Sequence, residues 1–128
     1  MPSTRISTRQ GWIAGRHREV IEAVQQALSK GLLIPEHDRC IFLQEFDDHL
    51  LITPPTKGSR YMVIEITLFS GRSMDAKRRL YRAISEELAQ FEVPAADIKT
   101  ILIEVDQENW GLSGQPASEM DLGFKIDV

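Results

Sequence analysis

Hydrophobic residues recur along the chain in a pattern that predicts two helices, each followed by a strand. Two stretches carry apolar side chains three or four positions apart, which places those side chains on one face of a helix. Each stretch leads into a short apolar run, at 40–43 and at 101–103, whose length favours a strand. Ser73 precedes the second helix and is suited to cap its first amides. The helical positions are Val20, Ile21, Val24, Ala27 and Leu28, then Leu80, Tyr81, Ile84 and Leu88.

The two stretches belong to an internal repeat with a constant offset of 59 residues. A Pro-Glu-His-Asp turn at 35–38 precedes the first of these strands, and a Pro-Ala-Ala-Asp turn at 94–97 precedes the second. The same offset sets Tyr61, which heads a further apolar run, against Pro2 at the start of the chain. Each half therefore reads as strand, helix, strand.

Two such halves predict one α/β domain over residues 1–128, built from two βαβ units. The approximate repeats are 2–46 and 61–105, joined by an exposed segment at 47–59 and followed by a C-terminal segment at 106–128. Parallel strands within each unit require right-handed crossovers, so both helices fall on one face of a four-stranded mixed sheet. A chain of this length builds a single hydrophobic core.

The other face of the predicted sheet is left without helices. The runs at 61–69 and 98–105 are nevertheless apolar at successive positions, a pattern typical of strands buried on both faces. We therefore expect another subunit to cover that face.

Composition and charge narrow the partners and the compartment. A net charge of −4 argues against non-specific nucleic-acid binding, which needs a basic surface to displace counterions. No apolar run reaches the ~18 residues of a membrane span, and no apolar signal region follows the N-terminus. The single cysteine, Cys40, excludes an internal disulfide and is predicted to pack in the core. These features predict a cytoplasmic protein that binds no membrane.

Pro2 is the first candidate for chemistry. A small residue at this position is one before which the initiator methionine is normally removed, and the loss of Met1 would expose the secondary amine of Pro2. Proline is also an ordinary second residue, so Pro2 alone does not establish a function.

Several segments, taken with Pro2, resemble the tautomerase superfamily. They are Ile64 to Ser73, the turn from Val93 to Asp97, Glu104, Glu108 to Gly111, and Asp121 to Phe124. Size and the terminal proline point to the double-βαβ branch, which includes malonate semialdehyde decarboxylase and macrophage migration inhibitory factor. The resemblance implies a homotrimer with the proline at the mouth of a pocket near a subunit interface, and no cofactor or metal.

The resemblance also implies roles for three side chains. A buried N-terminal amine has a pKa below its ordinary ~8, which would let Pro2 act as a base near neutrality. Arg72 would hold the carboxylate of a small substrate. Asp38 matches an aspartate that the decarboxylases use near the proline, although its repeat partner Asp97 shows that the turn alone accounts for an aspartate there.

Trp110 and Leu112 are candidates for an apolar wall around the substrate. Trp110 is equally suited to anchor the C-terminal segment on a neighbouring subunit. The spacing of the three histidines fits no metal site, and residues 25–30 lack the histidine that the dehalogenating branch places late in the first helix. We therefore expect no dehalogenation.

Three functions stay open at this stage. The leading hypothesis is enol to keto isomerisation of a small 2-oxo acid by Pro2 and Arg72. The alternative is a decarboxylase of the malonate semialdehyde type, although those enzymes place two arginines where this chain has only Arg72. The third is a trimeric interaction protein without turnover.

Overall fold

The computed structural model describes residues 2–128 and shows two βαβ units that share one sheet. The expected removal of Met1 concerns a residue outside the described ones. The elements are β1 (Ser3–Arg9), α1 (His17–Leu32), β2 (Ile41–Phe46), β3 (Met62–Phe69), α2 (Met74–Leu88), β4 (Ile98–Val105), β5 (Gly111–Leu112) and β6 (Gln115–Pro116).

The main sheet has the strand order β2-β1-β3-β4. β1 runs parallel to β2, and β3 runs parallel to β4, whereas the central pair of β1 and β3 is antiparallel. The two helices pack against each other on one face of the sheet. The predicted four-stranded mixed sheet with two helices on one face is therefore confirmed. Within residues 2–128, no helix has the length and apolar character needed to cross a bilayer.

The helices approach each other closely at Gly31. A Cβ atom at this position would lie 2.5 Å from the Cα of Leu80 on α2. The missing side chain thus lets the backbones of the two helices come into contact. α2 begins as predicted, because the Ser73 hydroxyl accepts a hydrogen bond from the Ala76 amide at 3.0 Å.

One face of the sheet is uncovered within a single subunit. Ile101 and Ile103 on β4 are 42% and 40% exposed, and Phe42 on β2 is 52% exposed. Arg5 and Glu65 lie opposite each other on the two central strands of the same face. Exposed apolar residues in such a patch are typical of a protein interface.

One sequence prediction about burial is wrong, and one residue of the predicted helical face lies at the edge of the core. Cys40 is exposed, because it directly precedes β2, which is an edge strand of the sheet. Tyr81 is 40% exposed and lies outside the core, although the other predicted apolar positions of α2 are buried. Helical spacing located the face but not its width.

The 59-residue offset also relates backbone details of the two halves. Leu33 follows α1 with a φ of 56°, and Glu92 follows the 3₁₀ turn that extends α2 with a φ of 59°. The carbonyl just before each of these residues, on Leu32 and on Phe91, accepts a hydrogen bond from an arginine Nη1 atom. The arginines are Arg72 and Arg60, respectively.

Candidate active site

Pro2 lies at the end of the sheet where several chain segments meet. Ser3 pairs with Thr67 near the end of β3, because β1 and β3 are antiparallel. On the other side, the Thr4 amide donates to the Cys40 carbonyl at 2.9 Å, just before β2 begins. Pro2 itself is buried. The turn before β2 and the residues after β3 therefore reach the same end of the sheet as Pro2.

Arg72 is held at this end with one part of its guanidinium already bound. Its side chain is only 7% exposed. Nη1 donates to the Leu32 carbonyl at 2.7 Å and to the Lys125 carbonyl at 3.4 Å. Nε is buried and has no hydrogen-bond partner among the described residues. The buried Nε belongs to the Nε–Nη2 edge, and this edge of a guanidinium is the one that can bind a carboxylate with two parallel N–H bonds.

Two charged side chains act on Arg72. Burial lowers the pKa of the Arg72 guanidinium, and the positive charge of Arg79 lowers this pKa further. Asp38 opposes the shift and favours the charged form of Arg72. Asp38 is therefore close enough to Arg72 to interact with it electrostatically, as a shared site requires.

A small cavity borders Asp38. Its volume is about 100 Å³, and it is lined by Pro35, His37, Asp38, Leu122 and Phe124. The Phe124 ring centroid lies 5.9 Å from the Arg72 Cζ, within cation–π range. The cavity thus combines the Asp38 carboxylate with an apolar residue that contacts Arg72, whereas neither Pro2 nor Arg72 lines it.

Trp110 and Leu112 do not line this cavity within one subunit. The Trp110 ring packs edge-to-face on Phe69 at 4.9 Å, and its Nε1 donates to the Val105 carbonyl at 3.1 Å. Leu112 belongs to the two-residue strand β5. Leu122 and Phe124 form the apolar wall instead. Contact of Trp110 and Leu112 with substrate stays a prediction. It would require these side chains to reach the site of a neighbouring subunit.

Arg79 is the residue that sequence reasoning missed. Its Nε donates to the Gly31 carbonyl at 3.0 Å, next to the carbonyl that holds Arg72. The two arginines thus meet the negative end of the α1 dipole together. Helical spacing could not have revealed this pairing, because Arg72 lies before α2 begins, whereas Arg79 lies within it.

The histidines do not assemble into a metal site. His17 contacts Glu45, and His49 contacts Asp47 in the segment between the halves. His37 lines the small cavity beside Asp38. Across residues 2–128, no group of three or more histidine, cysteine or acidic side chains is arranged to hold a metal ion.

Comparison with known proteins identifies the family. The family model described as "Tautomerase enzyme" matches residues 38–113, more than half of the chain. A "Probable tautomerase" of Ralstonia nicotianae is 33% identical over 57 residues, which cover 44% of this chain and 81% of that protein.

Solved structures show the same fold. A malonate semialdehyde decarboxylase inhibited by 3-bromopropiolate superimposes with a TM-score of 0.80 at 25% identity, covering 91% of this chain and 92% of the other. Native fused 4-OT gives a TM-score of 0.79 at 23% identity, over 95% and 99% of the two chains. A fused 4-OT asymmetric trimer gives 0.80 at 22% identity, over 91% and 96%. With its fold and its family match in agreement, this chain belongs to the tautomerase enzyme family.

Proposed function

We propose that the protein isomerises the enol and keto forms of a small 2-oxo acid, with Pro2 as the acid and base and Arg72 as the carboxylate-binding group. The observation that carries this proposal is the state of the Arg72 guanidinium. Nη1 is fixed by the Leu32 carbonyl, and the buried Nε has no partner among the described residues. A buried N–H without an acceptor costs ~1–3 kcal/mol, which a bound carboxylate would recover.

The proton transfer balances within the substrate and one amine. In the enol to keto direction, the neutral Pro2 amine accepts the hydroxyl proton, and the C–C double bond takes a proton from the resulting ammonium at C3. The amine ends in its starting form, so no co-reactant is consumed. Arg72 beside the substrate carboxylate also stabilises negative charge on the neighbouring oxygen as the hydroxyl proton leaves.

Deuterium exchange at C3 of pyruvate in heavy water, followed by NMR, tests the proposal. We expect exchange above the buffer rate in protein shown by intact mass to lack Met1. Pro2→Ala should reduce the turnover by ~100-fold or more, since general acid–base catalysis is typically worth that much. Unchanged exchange in Pro2→Ala would assign the chemistry to another group.

Decarboxylation of a 3-oxo acid is a second candidate, favoured by the placement of Asp38 near Arg72. The likeness to malonate semialdehyde decarboxylase at 25% identity also supports it. Release of carbon dioxide from malonate semialdehyde by the parent protein, lost in Asp38→Asn, distinguishes this reaction from isomerisation. If the protein catalyses neither reaction, this result would instead support the third hypothesis, a trimeric interaction protein without turnover.

We also propose a homotrimer in which the uncovered sheet faces point inward. The exposed apolar side chains on β2 and β4 support this arrangement, as does the trimeric state of the fused 4-OT structure with the same fold. The site lies at the end of the sheet, so a neighbouring subunit would also reach its rim. We also propose that the protein needs no cofactor, is located in the cytoplasm and binds neither nucleic acid nor membrane.

A further inference from the structure

One buried position of α1 is polar where the matching position of α2 is apolar. Gln25 and Ile84 are related by the 59-residue offset, and both are fully buried. Ser29 and Leu88, about one helical turn further on, differ in the same way, although Ser29 is only half-buried. The first half therefore carries a polar pair where the second half is apolar.

The Gln25 amide reaches the turn that carries Asp38. Its Nε2 donates to the Asp38 carbonyl at 3.4 Å and to the Ser29 hydroxyl at 3.5 Å. Both bonds are long, and the buried Oε1 has no hydrogen-bond partner among the described residues. A buried amide that is only partly satisfied is less stabilising than an apolar side chain of the same size. Stability alone therefore does not explain a glutamine at this position.

The turn itself does not require this contact. The Asp38 amide donates to the Pro35 carbonyl at 3.1 Å, and the Asp97 amide donates to the Pro94 carbonyl at 2.9 Å. The second turn thus closes in the half that has Ile84, a side chain without polar atoms. Gln25 adds a contact to a turn that forms without it.

The aspartates of the two turns have different surroundings. The Asp97 carboxylate accepts from the Gly58 amide at 3.1 Å, which ties down the segment between the halves. Asp38 instead borders the small cavity that Phe124 also lines, and Phe124 contacts the Arg72 guanidinium. The negative charge of Asp38 also acts on Arg72. The polar pair on the helix therefore occurs in the half whose aspartate interacts with Arg72.

We infer that Gln25 is a positioning residue, whose amide holds the backbone of Asp38 so that the Asp38 carboxylate faces Arg72. The inference rests on decarboxylation, the second candidate function, because that reaction gives Asp38 a part. An aspartate side chain is short, so a shift of its backbone moves the carboxylate by a similar distance. A misplacement of ~1 Å at a reacting group costs up to ~100-fold in rate.

The test replaces Gln25 with methionine, which has a similar length and no hydrogen-bond donor. Ile84→Met is the matched control at the related buried position of α2. We expect Gln25→Met to keep a urea midpoint equal to or above that of the parent, and pyruvate exchange within a few-fold. The kcat for carbon dioxide release from malonate semialdehyde should fall by ~10-fold or more. Ile84→Met should leave both activities within a few-fold.

The Arg72 Nε–H resonance in a proton–nitrogen correlation spectrum reports the same contact without turnover. Its assignment follows from its loss in Arg72→Lys. Asp38→Asn should shift this resonance, because it removes a charge that acts on Arg72. Gln25→Met should shift it in the same direction, and Ile84→Met should leave it in place.

Equal losses of decarboxylation in Gln25→Met and Ile84→Met would overturn the inference, as would a loss of pyruvate exchange as large as that of decarboxylation. An Arg72 resonance that stays unmoved in Asp38→Asn or in Gln25→Met would also overturn it. If the parent releases no carbon dioxide, the second candidate function fails by itself, and the resonance still decides whether Gln25 positions Asp38. Gln25→Leu takes the place of Gln25→Met if the latter does not fold, and failure of both to fold would make Gln25 a purely structural residue.

Discussion

Replacing Arg72 should have two effects that can be measured separately, one on the free energy of unfolding and one on activity toward the substrate. Arg72→Met removes the donor that reaches the Leu32 carbonyl at 2.7 Å, and Leu32 is fully buried. A buried carbonyl left without its donor costs ~1–3 kcal/mol. Since a domain typically has ~5–15 kcal/mol of unfolding free energy, the variant should still fold, with a lower urea midpoint.

The effect on activity should be larger than the effect on folding. A hydrogen bond to a charged group contributes ~1.5–3 kcal/mol, or roughly 10-fold to 100-fold, and the Nε–Nη2 edge of a guanidinium can make two such bonds to a carboxylate. We expect kcat/KM for pyruvate to fall by at least ~100-fold in Arg72→Met. Arg72→Lys should recover part of the loss, because an ammonium keeps the charge but lacks the planar fork.

Arg60 provides the matched control. Its Nη1 donates to the Phe91 carbonyl, which corresponds to the Leu32 carbonyl in the other half, but Arg60 lies at the opposite end of the sheet. Arg60→Met should lower the unfolding free energy by a similar or smaller amount, since Arg60 is 30% exposed, and should leave kcat/KM within a few-fold of the parent. Equal losses of activity in Arg60→Met and Arg72→Met would refute the assignment of Arg72 to substrate binding.

Four further predictions follow from the same structure. Gly31→Ala should lower the unfolding free energy by ~1–3 kcal/mol in urea denaturation, because its Cβ would lie 2.5 Å from a backbone atom, whereas Gly111→Ala has nothing within 4 Å and should cost little. Ser73→Ala should cost ~1 kcal/mol or more, because it removes both the α2 cap and the donor to Val128, and Ser73→Asp, which keeps only the capping oxygen, should recover part of that loss in the same assay. Asp38→Asn should leave pyruvate exchange within a few-fold while abolishing any decarboxylation; a comparable loss of both activities would contradict the separation of roles. Light scattering should give three times the chain mass of 14.5 kDa, and a monomeric mass would exclude the proposed assembly.

The sheet could be predicted from the sequence because its signals are local and repeated. Two amphipathic helices and the runs beside them define the strands, and the handedness of βαβ crossovers then leaves few arrangements. The cap at Ser73 was equally predictable, since it depends on residues three positions apart. Local sequence patterns therefore predict the helices and strands, and the connections between them limit the possible strand order.

The contacts of the C-terminal segment were not predictable in the same way. Lys125 and Val128 meet Arg72 and Ser73 through backbone carbonyls, which every residue carries and which leave no mark on the sequence. The segment also lacks a helical or alternating pattern. The wall formed by Phe124 therefore emerged only from the three-dimensional structure, and the exposure of Cys40 depended on which strand lies at the edge.

The joining of two related halves in one chain has a consequence for the number of reactive ends. If the two halves were separate copies of one βαβ chain, each substitution would appear at both ends of the sheet. In a single chain that contains both halves, each half can be substituted independently. Tyr61 occupies the position that corresponds to Pro2, and its nitrogen is an amide that donates to the Gly58 carbonyl at 3.2 Å. Such an amide has no basic lone pair. Under the proposed function, the reactive amine would therefore be confined to the Pro2 end of the sheet, and the Tyr61 end would have no part in proton transfer.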